Sequence, residues 1–148
     1  MTAETAVHNG RCHCGNIQVS FETARRPEEL HPRICGCSFC RRQGARYASD
    51  PQGRVRFEVR DPERLTRYRF GHKTADFLLC ATCGVYFGAV MTEGGMRYAV
   101  LNVDVFDEPV AIADTPQSFD YDAEDEADRV ARRKARWTPV ETIVEGSS

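Results

Sequence analysis

No apolar run among the 148 residues approaches the roughly 20 needed to cross a bilayer. The first ten residues, MTAETAVHNG, lack the basic start and apolar stretch of a secretory signal. A soluble, cytoplasmic protein is therefore expected. Excess charge of one sign is also missing: 20 Lys and Arg stand against 22 Asp and Glu, a formal net charge of −2. That argues against a general nucleic-acid binder but leaves room for a local basic patch. No internal repeat of fixed period and no low-complexity linker is present. The length suits one domain with a real core. Cysteine is what the chain does have. Seven of them, an odd number without a secretory signal, fit a disulfide framework badly and a metal framework well.

Residues 1–9 read as a flexible start and residues 10–113 as a β domain. Residues 114–148 read as an extension whose helix packs on that domain. Within the β domain, turn-forming residues recur about every ten residues, as in sandwiches and barrels. Between them lie short strand-like runs. Asn16–Glu22 alternates Ile17, Val19 and Phe21 with polar neighbours, and Arg54–Arg60 does the same with Val55, Phe57 and Val59. Leu65–Phe70 is a third such run. Ala75–Cys80, Val85–Met91 and Met96–Val103 are more continuously apolar and read as buried strands. The expected class is mainly β, a sandwich or a barrel-like sheet pair with little helix inside it. In the tail, acidic residues from Glu124 to Asp128 precede basic residues from Arg129 to Arg136. That order complements a helix dipole, with Asp120 or Asp122 as cap and Pro139 beyond the end. Its apolar positions are Ala123, Ala127, Val130, Ala131 and Ala135. We read a solvated helix lying on the sheet with Trp137 as anchor, in preference to a phosphate-binding patch at Arg132–Arg136.

The cysteines fall into three groups: Cys12-His13-Cys14-Gly15, Cys35-Gly36-Cys37-Ser38-Phe39-Cys40 and Cys80-Ala81-Thr82-Cys83-Gly84. Thiolates so spaced converge on one tetrahedral ion at about 2.3 Å each. A glycine after the second cysteine permits the left-handed turn that aims backbone N–H groups at the sulfurs. The first and third groups together supply four cysteines, the composition of a closed structural zinc site. The middle group supplies three, which leaves a coordination position for substrate, as in a catalytic zinc site. Alternatively a histidine closes it; His8, His13, His31 and His72 are the candidates. A redox dithiol at Cys80 and Cys83 needs a strand–helix context, and the residues that follow read as a strand instead.

The order C-x-C-G, C-x-C-x-x-C-R-R, C-x-x-C-G resembles the glutathione-dependent formaldehyde-activating enzyme and centromere protein V domain family. The resemblance runs from Gly10 to about Val103. It implies a β-tent fold of layered antiparallel sheets and two zinc ions per chain. By resemblance, Cys12, Cys14, Cys80 and Cys83 hold the structural ion, and Cys35, Cys37 and Cys40 the catalytic one. The implied reaction is of carbon–sulfur lyase type, joining glutathione to formaldehyde or running in reverse. The partners it implies are a small-molecule thiol and an aldehyde.

Three thiolates around zinc leave a net charge of about −1, a centre better suited to holding a thiol as a nucleophile than to making hydroxide. Polarising the aldehyde oxygen is the alternative role. Arg41 and Arg42 directly follow Cys40 and are candidates for the two glutathione carboxylates. Phe39 walls the metal from solvent or packs in the core. His72 and Lys73 are weighed as acid–base groups against exposed turn residues. Two rival readings are a non-enzymatic two-zinc module that binds protein or nucleic acid, and a related reaction with a different small thiol.

Overall fold

The computed structural model describes residues 5–26, 29–30, 32–69, 74–108, 117–119 and 124–145. Alternating apolar residues build the first layer. β1 (Ala6–Arg11) and β2 (Ile17–Thr23) form a hairpin, and β2 pairs antiparallel with β5 (Arg54–Val59). The continuously apolar runs build the second layer. β6 (Leu65–Tyr68), β7 (Asp76–Cys80), β8 (Tyr86–Glu93) and β9 (Met96–Asn102) form an antiparallel meander. Beyond β9 the layer continues through β4 (Tyr47–Ala48) to β3 (Arg33–Cys35) and β10 (Gln117–Phe119), the last parallel to β3. Among the described residues the α-helices are α1 (Ser38–Gln43) and α2 (Glu126–Arg136). The expected class, mainly β with layered sheets and a C-terminal helix, is the one observed. No helix among the described residues is long and apolar enough to cross a membrane.

The apolar continuity of β7–β9 has a physical cause: both faces of this sheet are buried. Leu78, Cys80, Phe87, Val90, Ala99 and Leu101 face a core shared with Ile17, Val19, Phe21, Val55 and Phe57 of the first layer. Phe77, Ala89, Met91 and Val100 face a second core with Cys40, Tyr47 and Trp137. One position breaks the alternation. Leu78 pairs with Gly88 but Leu79 pairs with Tyr86, so β8 carries a bulge. Gly88 has φ +142°, and a Cβ there would stand 2.2 Å from the Val100 carbonyl oxygen. The bulge resets the side-chain period, so Tyr86 shares the second core with Ala89 and Met91. A regular strand would have turned it to the opposite face.

The tail differs most from expectation. β1 pairs with β2 from Ala6 on, four residues before the expected domain start at Gly10. After α2 comes β11 (Thr138–Glu145), which runs parallel to β5 and also pairs with β9 through Thr138 and Pro139. It thereby joins the two layers. Pro139 stands second in this strand, near its start, where a missing N–H is tolerated. The cap of α2 is Asp125, whose carboxylate accepts from the Asp128 N–H at 2.7 Å. Asp120 and Asp122 lie outside the described residues. The expected apolar face is also corrected. Ala127, Ala131 and Ala135 are exposed, Ala123 lies outside the described residues, and the inward face is Arg129, Val130, Arg132 and Arg133. Trp137 is buried and does anchor the helix end. The Ser49 hydroxyl donates to the Arg136 carbonyl at 2.7 Å, satisfying one of the last-turn acceptors.

Candidate active site

Two hairpin tips use one device twice. After β1, the Gly15 N–H donates to the Cys12 carbonyl at 3.0 Å, and the Cys12 N–H donates to the Ile17 carbonyl at 3.0 Å. After β7, the Gly84 N–H donates to the Cys80 carbonyl at 2.8 Å, and the Cys80 N–H donates to the Val85 carbonyl at 3.0 Å. Gly15 and Gly84 take the left-handed conformation that these turns require, at φ +84° and +80°. The Ile17 and Cys83 N–H groups point at the Cys12 and Cys80 sulfurs, at 3.3 and 3.5 Å. The two tips bring Cys12, Cys14, Cys80 and Cys83 into one group, every sulfur within 4.8 Å of the others. Thiolates bound at about 2.3 Å to a tetrahedral ion stand about 3.8 Å apart. The observed Cys12–Cys14 and Cys14–Cys80 separations are 3.7 and 3.5 Å. Four sulfur donors so spaced fit a metal ion with no position left over. Burial disfavours an unpaired thiolate at Cys12, pushing it up to about 12, and a cation beside the sulfur would offset that.

The second group, Cys35, Cys37 and Cys40, is equally tight, within 4.8 Å. Cys35 ends β3; Cys37 is the N-cap of α1, its sulfur accepting from the Cys40 N–H at 3.4 Å; Cys40 is buried within the helix. Hydrogen bonds from the Cys35 and Cys40 thiols hold the Cys37 thiol far below its ordinary value. The complementary bonds to Cys35 and Cys37, with burial, push Cys40 far up. Proton sharing of this kind marks a cluster that a cation can replace protons in. No histidine joins this group among the described residues. His8 lies between the Phe21 and Phe106 rings, and His13 is exposed at the first tip. His31, His72 and Lys73 lie outside the described residues. The Cys40 sulfur is 2.9 Å from the Tyr47 hydroxyl, which is 2.7 Å from the Tyr86 hydroxyl. Burial raises both tyrosines above their ordinary range, so they stay protonated. Phe39 packs against Tyr68, Phe77 and Tyr86, at ring separations of 5.5, 5.0 and 5.2 Å, as a core residue.

A cavity of about 480 Å³ opens beside the three-cysteine group and touches Cys35, Cys37, Cys40 and Tyr47. None of the other four cysteines lines it. Arg41 and Arg42 are exposed and do not line it. The arginines that do line it are Arg33 of β3 and Arg129, Arg132 and Arg133 of α2. Burial opposes the charge on Glu124, but bonds from Arg132 at 2.9 and 3.1 Å and the nearby arginine charges hold its carboxyl below the usual range. Residues 129, 132 and 133 share one helix face, a spacing legible in the sequence but masked there by the habit of reading charged helices as solvated.

The model of the glutathione-dependent formaldehyde-activating enzyme family matches residues 7–122. The chain belongs to that family. The family's name describes an enzyme that activates formaldehyde with glutathione. A Rhodobacter sphaeroides protein of known crystal structure is 36% identical, over 67% of this chain and 87% of that one, with a TM-score of 0.52. The matched residues include all seven cysteines of this family member, whereas α2 and β11 lie beyond them.

Proposed function

We propose that this family member is a zinc-dependent enzyme that adds a thiol, glutathione first among candidates, to an aldehyde such as formaldehyde, or runs the reverse cleavage. Such a reaction is of carbon–sulfur lyase type. Cys12, Cys14, Cys80 and Cys83 hold a structural zinc, and Cys35, Cys37 and Cys40 a catalytic one. The observation that carries the reading is the contrast between the two groups. Four donors close one site away from the cavity, whereas three donors face it. A zinc ion held by Cys35, Cys37 and Cys40 would supply Lewis acidity, which would favour the thiolate form of an incoming thiol.

The protein's own side chains do the rest. A thiolate Cys40 has no proton to give, so Tyr47 donates to it and Tyr86 donates to Tyr47 in turn. That chain orients the Cys40 sulfur and would lower its electron donation to a bound metal. The apolar wall of Phe77, Ala89 and Val100 keeps water from the reacting atoms. In the addition, a carbon–sulfur bond forms as the carbonyl π bond breaks. Its electrons go to oxygen, and the thiol proton ends there as a hydroxyl. The rival reading, a nucleic-acid module, is weakened because Arg129, Arg132 and Arg133 face the cavity and not the exterior.

The test compares Cys37→Ser with Cys83→Ser by zinc content, thermal melting and exchange NMR of glutathione with formaldehyde. Cys37→Ser should hold about one zinc instead of two, melt cooperatively and exchange at the uncatalysed rate. Cys83→Ser should lose cooperative melting, because structural zinc contributes about 10 kcal/mol or more, comparable to a domain's whole stability. Equal loss of fold in both variants would overturn the division of roles.

A further inference from the structure

Arg133 is 7% exposed, a rare degree of burial for a guanidinium. One of its terminal nitrogens donates to the Thr74 hydroxyl at 2.6 Å, and its central carbon lies 4.8 Å from the centre of the Trp137 ring. Its Nε is buried with no acceptor among the described residues. No carboxylate appears among the described residues lining the cavity, while four arginines do. The neighbouring Arg132 and Arg129 charges make this worse for Arg133, and burial weakens its hold on its proton. A buried cation is retained at such a place when a counter-charge arrives with a ligand.

The size of the cavity says which substrate brings it. At about 480 Å³ it exceeds by an order of magnitude the about 30 Å³ that a water occupies. A one-carbon aldehyde leaves it nearly empty, so the volume belongs to the thiol. A planar guanidinium with Nε and a terminal nitrogen available matches a carboxylate in two-point contact.

We propose that Arg133, supported by Arg129 and Arg132, is the carboxylate-binding subsite of the thiol substrate, and that α2 therefore sets this enzyme's thiol specificity. The proposal rests on the thiol-addition reading above. It adds that the selecting element lies outside residues 7–122, so the metal centres come with the family match while the substrate's acid groups are read by a segment beyond it. Arg133 anchors, Trp137 holds the guanidinium plane from one side, and Glu124 fixes Arg132 beside it.

The experiment is calorimetric titration of the zinc-loaded protein with S-methylglutathione, whose blocked sulfur cannot react, and with its diethyl ester. The free acid should bind at least about tenfold more tightly than the diester. Arg133→Gln should abolish most of that difference, and Arg129→Gln should reduce it in part. Acid and diester binding wild-type protein alike, or neither binding, overturns the proposal. So does an unchanged preference in a folded Arg133→Gln. Should the acid preference hold while no thiol and aldehyde exchange faster than without protein, the subsite stands and the reaction falls. Should exchange be catalysed without an acid preference, the reaction stands and the subsite falls.

Discussion

Arg133→Met is expected to raise stability while harming recognition. Burial first, and then the Arg132 and Arg129 charges, push the Arg133 guanidinium from 12.5 down to about 10. At about 1.4 kcal/mol per pH unit, that displacement costs the folded state about 3 kcal/mol. Against it stand one hydrogen bond to Thr74, worth about 1 kcal/mol, and the Trp137 contact, worth about another. Methionine keeps an apolar stem of similar length in the same space. The net gain is about 1 kcal/mol, or about 2–4 °C in Tm for a domain of this size. A base whose folded pKa lies below its unfolded one carries its penalty at all pH values below the folded pKa. The penalty fades only between about pH 10 and 12.5, so the variant's advantage should be flat from pH 6 to 9. Scanning calorimetry at matched zinc content measures it. A fall in Tm of several degrees would refute the reasoning, because the Thr74 and Trp137 contacts would then outweigh the buried charge and make Arg133 a structural residue.

Two further predictions concern the scaffold. Gly88→Ala forces a Cβ to 2.2 Å from the Val100 carbonyl at a φ of +142°, and should cost about 3 kcal/mol or more in denaturant melts; a change under about 1 kcal/mol would mean that the β8 bulge relaxes freely. His8 is held below 6.5 by burial, so its folded form favours the neutral ring and the protein loses stability as pH falls through 6.5. His8→Phe should shrink the difference in Tm between pH 7 and pH 5, and an unchanged difference would assign the acid sensitivity elsewhere.

The strands from β2 to β9 that are longer than three residues were legible because burial wrote their period into the chain. Ile17, Val19 and Phe21 alternate against a single core, whereas β7–β9 read as continuous because two cores claim their two faces. The cysteine groups were legible because metal-ligand spacing is local. The misses have equally definite causes. β1 exposes most of its residues, so Ala6–Arg11 has no apolar pattern to read. β3 and β4, with three and two residues, are too short to show a period. α1 is capped by a cysteine, outside the usual capping set. In β11 the β-branched run Val140, Thr142, Ile143 and Val144 was present, but Pro139 was read as the end of a helix and not as an early residue of a strand. Arg41 and Arg42 follow Cys40 in sequence, but both are exposed on α1 and lie outside the lining of the cavity beside it.

The placement of the two cysteine groups follows from the same central sheet. Strand β7 sends Cys80 into one core and Phe77 and Leu79 toward the other. One face therefore carries the closed group, between the β1–β2 and β7–β8 tips, where a bound metal would tie the two layers together. The opposite face carries the open group, covered by α2. That helix is fixed at one end by Asp125 and at the other by Trp137 and the Ser49 bond, and β11 holds its exit in the middle of the structure. A helix pinned at both ends can turn arginines inward without swinging out to solvate them. This rigidity is what allows a buried guanidinium to persist at a cost to stability, and it is why recognition would be built on α2 and not on the exposed arginines of α1.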